Sequence, residues 1–305
     1  TPDGLTYTFK LRKGVKFHAN DKFKPSRDFN ADDVLFSYNR QADASHPFHR
    51  ITPGQTFAYF EDMGMGRIVD KLEKIDEHTV RFTLKHPEAP FLANMAMDFA
   101  SIFSAEYADR MMAAGTPEAI DREPIGTGPF QFGSYQKDAV IRYKAFDAYW
   151  GGRPKIDNLV YAITPDASVR YAKLKTGECH VMAFPKPADL ALMKTDPNIS
   201  VLSKEGLNVG YVAMNVEKKP FDNKFVRQAL NMAVDKASIL NSVFQGAGRA
   251  AKNPIPPILW SYNDKIKDYP YDVDKARALL AKAGFPNGFE VELWYLPVTR
   301  PYKPD

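Results

Sequence analysis

The sequence predicts an α/β fold on three observations. Stretches in which apolar and polar residues alternate are interspersed irregularly with stretches in which apolar residues recur every three or four positions. A strand, a helix and a strand follow in direct succession at 159–163, 166–175 and 179–183. With 305 residues, 44% of them hydrophobic and 13% aromatic, the chain can bury more than one core, so two or more domains are expected.

The chain opens with Tyr7, Phe9 and Leu11 alternating with Thr6, Thr8 and Lys10; Val15 and Phe17 resume after Arg12-Lys13-Gly14, a hairpin pattern. Asn30 is placed to cap a helix, with Asp33 three residues on and Val34, Leu35 and Tyr38 sharing a face before Arg40. A polar, proline-bearing loop spans 42–55, and 75–84 reads as a second hairpin turned at Asp76-Glu77-His78. Pro90 opens a Met-rich helix, and Ser104 caps another that ends at Gly115.

Gly126-Thr127-Gly128-Pro129-Phe130 marks a sharp change of direction, after which a new unit begins with strands around 130–132 and 140–143. In the strand, helix, strand succession that follows, Asp166 caps the helix and Gly177 closes it. The segment 208–216 reads as a strand, and Asp222 caps a helix with Val226, Ala229, Leu230 and Ala233 on one face. A helix over 236–244 comes next. Asp272 starts a last one, with Ala276, Leu279, Leu280 and Ala283 on its apolar face and Gly284 as its stop, leading into a strand at 289–295.

A net charge of +4, with 41 basic residues interleaved among 37 acidic ones, gives no basic block and implies no nucleic acid. No apolar run approaches the roughly 20 residues that span a bilayer, and the Thr1-Pro2-Asp3-Gly4 start has the form of no signal segment, so the chain is not expected to be membrane-embedded. Cys179 stands alone. It is either a buried reduced thiol or one half of a disulfide whose other half lies outside these residues. The chain opens almost on a strand and stops inside a loop, which reads as a piece of something longer.

Enzyme signatures fail on context. Gly64-Met65-Gly66 lacks the third glycine of a dinucleotide loop, and Gly246-Ala247-Gly248 follows a helix where a strand is required. Ser134-Tyr135-Gln136-Lys137 fits S-x-x-K but sits in a turn, with no K-T-G or S-D-N downstream. His46 and His49 have no further ligand near enough in sequence for a zinc set, and the carboxylates Asp32-Asp33 and Glu61-Asp62 are accounted for by capping and solvation. No catalytic residue, cofactor or metal is expected.

Two loops suit binding. Phe48, Phe57, Tyr59 and Phe60 crowd a segment that carries Pro53-Gly54, a composition that serves either a core or the lining of an apolar pocket. Arg300 lies between Pro297 and Pro301, beside Tyr302. The prolines fix φ on both sides, so the guanidinium fork can be aimed at a carboxylate with little further loss of entropy.

The sequence strongly resembles the periplasmic extracellular solute-binding proteins of the peptide/nickel family. The residues that carry this are Gly126-Thr127-Gly128-Pro129-Phe130, Tyr149-Trp150-Gly151, Pro220, Val226-Arg227-Gln228-Ala229-Leu230 and Ala233-Val234-Asp235-Lys236. Its dipeptide-binding branch is matched more narrowly by Asn30-Ala31-Asp32-Asp33-Val34, Pro87-Glu88-Ala89-Pro90-Phe91-Leu92, Met97-Asp98-Phe99-Ala100-Ser101-Ile102, a run from Ile163 to Leu174, and Gly206-Leu207-Asn208-Val209-Gly210-Tyr211.

The resemblance implies a two-lobe periplasmic-binding-protein-like fold with an additional α+β accessory domain, only part of which is present. Residues 1–125 map onto the accessory domain, 126–205 onto part of the first lobe and 206–305 onto the first half of the second, with Gly206 as a hinge. It further implies a monomeric periplasmic receptor that takes dipeptides or short peptides and delivers them to an inner-membrane ABC permease. In that mapping Arg300, with Tyr302, takes the peptide carboxylate, while Gly54, Phe57 and Tyr59 border the pocket. The acidic residue for the peptide amine lies beyond Asp305, and Cys179 pairs with a cysteine upstream of Thr1. Relatives of the same fold bind haem or glutathione, which leaves those ligands as alternatives, with a peptide hydrolase as the reading from a different class.

Overall fold

The computed structural model describes residues 1–51, 54 and 56–295, and the chain divides into two compact units, Thr1–Ile163 and Thr164–Asp305. The first contains strands β1 (Thr6–Lys10), β2 (Val69–Asp76), β3 (Thr79–Leu84), β4 (Phe130–Gln136), β5 (Val140–Ala145) and β6 (Asn158–Ala162). Its helices are α1 (Ala31–Ala42), α2 (Ala58–Asp62), α3 (Met65–Ile68), α4 (Phe91–Asn94), α5 (Ala105–Ala113) and α6 (Ala119–Arg122).

Local chemistry sets the ends of α1. The Asn30 side chain accepts the Asp32 N–H, and the Asp33 carboxylate accepts the Asn30 N–H, each at 3.0 Å, closing a capping box. Asp33 is wholly buried. It also receives both terminal nitrogens of Arg27, at 2.7 and 2.9 Å, and the Ala105 N–H at 2.9 Å, which ties the start of α1 to the start of α5. These hydrogen bonds hold the Arg27 guanidinium charged, its pKa raised first of all by Asp33.

Strands β2 and β3 form the expected hairpin. Asp76 pairs with Thr79 and accepts the His78 N–H at 2.7 Å, closing the turn from within. β3 is central in the antiparallel order β1-β3-β2, and its inward residues Val80, Phe82 and Leu84 pack in one core with Ala31 and Val34 of α1. The first hairpin differs from expectation, because β1 pairs with β3, Thr6 opposite Thr83, and not with 15–17. Phe17 is spent instead on a second core with Phe23, Phe48, Tyr107 and Met111, where it is 5% exposed. Burial there outweighs a short hairpin ladder.

The change of direction at 126–130 is held by His18. Its Nε2–H donates to the Gly128 carbonyl at 2.9 Å while Nδ1 accepts the Gly126 N–H at 3.4 Å, so the ring is neutral with a single tautomer. Burial, partly offset by the Gly128 bond, pushes its pKa below the usual 6.5. Between 6.5 and that lower value the unfolded chain binds a proton that the folded ring refuses, so stability is complete above 6.5 and declines as pH falls. His18→Gln, which keeps one donor and one acceptor, is therefore expected to flatten the loss of denaturation midpoint between about pH 7.5 and about pH 5.5. An unchanged pH slope would remove His18 from that role. β4, β5 and β6 follow as an antiparallel meander with a bulge between Phe132 and Ser134.

The second unit contains α7 (Ala167–Lys175), α8 (Leu190–Thr195), α9 (Lys224–Ala233), α10 (Lys236–Ile239), which runs into a π turn at Leu240–Phe244, and α11 (Val273–Lys282). Asp166 and Asp272 cap α7 and α11 as expected. The cap of α9 is Asn223 and not Asp222, its side chain accepting the Phe225 N–H. α9 and α11 share a small core of Ala229, Met232 and Ala276, flanked by Leu279 and Leu280, while Ala233, expected inside, is exposed. The three alternating segments 179–183, 208–216 and 289–295 form no ladder among the described residues. Val181, Tyr211 and Trp294 stand 85%, 80% and 86% exposed. Alternation supplies a strand's faces, but only a paired neighbour makes it a strand.

Candidate functional site

Arg300 and Tyr302 lie outside the described residues, as do Thr52, Pro53 and Gln55 of the aromatic loop. What the structure places is the base of that loop. Phe57 is the residue before α2 and is half-buried, Tyr59 is 58% exposed on α2, and Phe60 is buried in the first core. The core use that the composition allowed accounts for part of the aromatic cluster only. Phe48 and Phe60 serve cores, while Tyr59 presents most of its ring outward. Gly54 is exposed with φ at +75°, a conformation that an L side chain rarely adopts, and its Cβ position meets no atom within 4 Å. Glycine is needed there for the turn and not for space.

The loop rests on an arginine that the sequence did not single out. Arg40, in the last turn of α1, has a side chain only 5% exposed, and its Nη2 donates to Asp121 Oδ1 of α6 at 2.9 Å. The guanidinium carbon lies 4.6 Å from the centroid of the Phe103 ring and 5.4 Å from that of Phe57. The Arg40 carbonyl takes a hydrogen bond from His49 Nδ1 at 2.9 Å, and the His49 ring lies 5.4 Å from that of Phe57. No signal in the sequence marks it: that Ser37 and Arg40, one turn apart on α1, are both buried is seen only in the fold.

The histidines of this loop have structural partners. His46 Nδ1 accepts the Phe48 N–H at 3.1 Å, and burial lowers the His46 pKa, so both rings serve the loop's own geometry. Among the described residues no three His, Cys, Asp or Glu side chains gather as a metal site. No helix of the described residues is long and apolar enough to cross a membrane. Cys179 is half-buried with a free thiol, its N–H bonded to the Lys173 carbonyl at 3.1 Å. Gly206 has no positive φ, and a Cβ there would meet only the Asn208 nitrogen, at 4.0 Å, so this conformation makes no demand for glycine.

The whole chain, residues 1–305, matches the family described as bacterial extracellular solute-binding proteins, family 5 Middle. A dipeptide-binding protein of Escherichia coli is 59% identical over 303 residues, 99% of this chain and 56% of that protein. A heme-binding protein A of Haemophilus influenzae is 56% identical over 303 residues, 99% of this chain and 55% of that protein. The crystal structure of a dipeptide binding protein from Pseudoalteromonas sp. SM9913 in complex with Met-Leu has a TM-score of 0.88 at 39% identity, covering 98% of this chain and 59% of that one. The chain spans little more than half the length of these relatives.

Proposed function

This chain belongs to the bacterial extracellular solute-binding proteins of family 5, and on that premise we propose that it captures dipeptides or short peptides in the periplasm and hands them to an inner-membrane ABC permease. The observation that carries this is its 59% identity over 303 residues to a dipeptide-binding protein. In this reading residues 1–125 are the accessory domain, 126–205 part of the first lobe and 206–305 the first half of the second, with Gly206 at the crossover. A dipeptide is a zwitterion of fixed charge separation. Arg300 takes its carboxylate, with Tyr302 beside it, and Gly54, Phe57 and Tyr59 border the side-chain space. Such a receptor selects length through its charges and tolerates side chains through an apolar, hydrated cavity. It works as a monomer and without catalysis, so a fluorogenic peptide should survive it intact.

A second reading, haem capture, is favoured by the 56% identity to a heme-binding protein. Calorimetric titration of the full-length protein with Met-Leu, beside titration with haem followed by absorbance, separates the two. Peptide binding without haem binding is expected, and the reverse would overturn the peptide reading. The periplasm is oxidising, and Cys179 is expected to pair there with a cysteine upstream of Thr1. Thiol titration of the denatured, unreduced full-length protein should find Cys179 unreactive; a reactive thiol at that position would exclude the disulfide.

A further inference from the structure

We propose that Arg40 is a positioning residue for Phe57, setting that ring for the ligand; this rests on the peptide-receptor reading above. Two contacts bear on this residue, one on its backbone and one on its guanidinium. His49 is bonded to the Arg40 carbonyl at 2.9 Å, and the Phe57 ring lies over the Arg40 guanidinium at 5.4 Å. His49 and Phe57 thus both lie against Arg40, and their rings are 5.4 Å apart.

Arg40 is itself held from two directions. Asp121 of α6 accepts Nη2 at 2.9 Å, and the Phe103 ring backs the guanidinium on its other contact at 4.6 Å. Phe103 is in turn fixed to α1, its N–H donating to Ser37 Oγ at 2.8 Å. Nη1 is buried and finds no hydrogen-bond acceptor among the described residues. A buried guanidinium donor without an acceptor is costly, and the electron-rich ring faces beside it offset part of that cost. A planar guanidinium can stack on such rings as well as carry the charge. A lysine at 40 would keep the charge for Asp121 but present no plane to Phe57.

Arg40→Lys, Phe57→Ala and the double variant of the full-length protein are titrated calorimetrically with Met-Leu. Arg40→Lys is expected to weaken binding about five- to tenfold, and to add nothing once Phe57 is already Ala, since it acts through that ring. Unchanged affinity in Arg40→Lys, or an equal loss in the Phe57→Ala background, would overturn the proposal. Phe103→Leu, which keeps the Asp121 pair and removes the backing ring, should weaken binding in the same direction, and no loss there counts against it. A readout without ligand separates this from the peptide reading. The emission of Phe57→Trp, taken as a difference against the parent protein, should move to longer wavelength when Arg40→Lys is added. An unmoved emission sinks the positioning role even where Met-Leu binds, whereas a protein that binds no Met-Leu yet shows the shift would overturn the peptide reading and leave Arg40 as the support of the ring at 57.

Discussion

Asp33→Ala is expected to lower the unfolding free energy by roughly 3–5 kcal/mol, the cost of breaking a buried pair from one side. The Asp33 carboxylate is wholly buried and receives the Arg27 fork, the Asn30 N–H and the Ala105 N–H. Its removal leaves Arg27 with only the Asp28 carbonyl, at 2.9 Å, and two backbone donors without their acceptor at the junction of α1 and α5, and it opens the capping box. Asp33→Asn keeps the volume and one acceptor but loses the charge, so it should fall between wild type and Ala. Thermal unfolding should report a drop in midpoint on the order of 10 °C for Ala. A loss below about 1 kcal/mol would show that the network is no more than an exposed ion pair in its energetics.

Arg300→Ala is expected to weaken dipeptide binding by about 2–5 kcal/mol, some thirtyfold to several thousandfold in Kd, because the ligand's carboxylate is left desolvated without its counter-charge. Arg300→Lys should restore only part of this, since an ammonium offers no planar fork to two oxygens. The unfolding midpoint should hardly change. Arg300 lies outside the described residues, so the expectation rests on its two flanking prolines and on the family. Calorimetry on Arg300→Ala with several dipeptides decides it, and unchanged affinity would place the carboxylate site elsewhere.

The two predictions differ in how far the sequence alone leads to them. Asn30 and Asp33 read as a helix start from sequence, and the capping box confirms that reading with bonds spanning two and three residues. That Asp33 is also the buried hub joining Arg27 and Ala105 was not legible, because the Ala105 bond crosses 72 positions. The candidate site divides in the same way. Phe57 and Tyr59 could be singled out by composition, and Gly54 by its place in the turn. Arg40 could not, since an arginine in a last helical turn ordinarily complements the helix dipole from the surface.

By itself the sequence determined what is closed over a few residues: the caps at Asn30, Ser104, Asp166 and Asp272, the β2–β3 turn at Asp76, and the glycine stops at Gly115, Gly177 and Gly284. Through long ordered stretches it also determined the family. The tertiary structure decided which alternating segments become strands. β1 passes over 15–17 to pair with β3, and 179–183, 208–216 and 289–295 form no ladder among the described residues. It decided as well that Arg40 turns inward to Asp121, 81 positions away, with the Phe57 and Phe103 rings beside its guanidinium. Caps and turns are satisfied by donors and acceptors the chain brings together unaided, whereas a ladder or a buried guanidinium needs a partner that only the folded chain supplies.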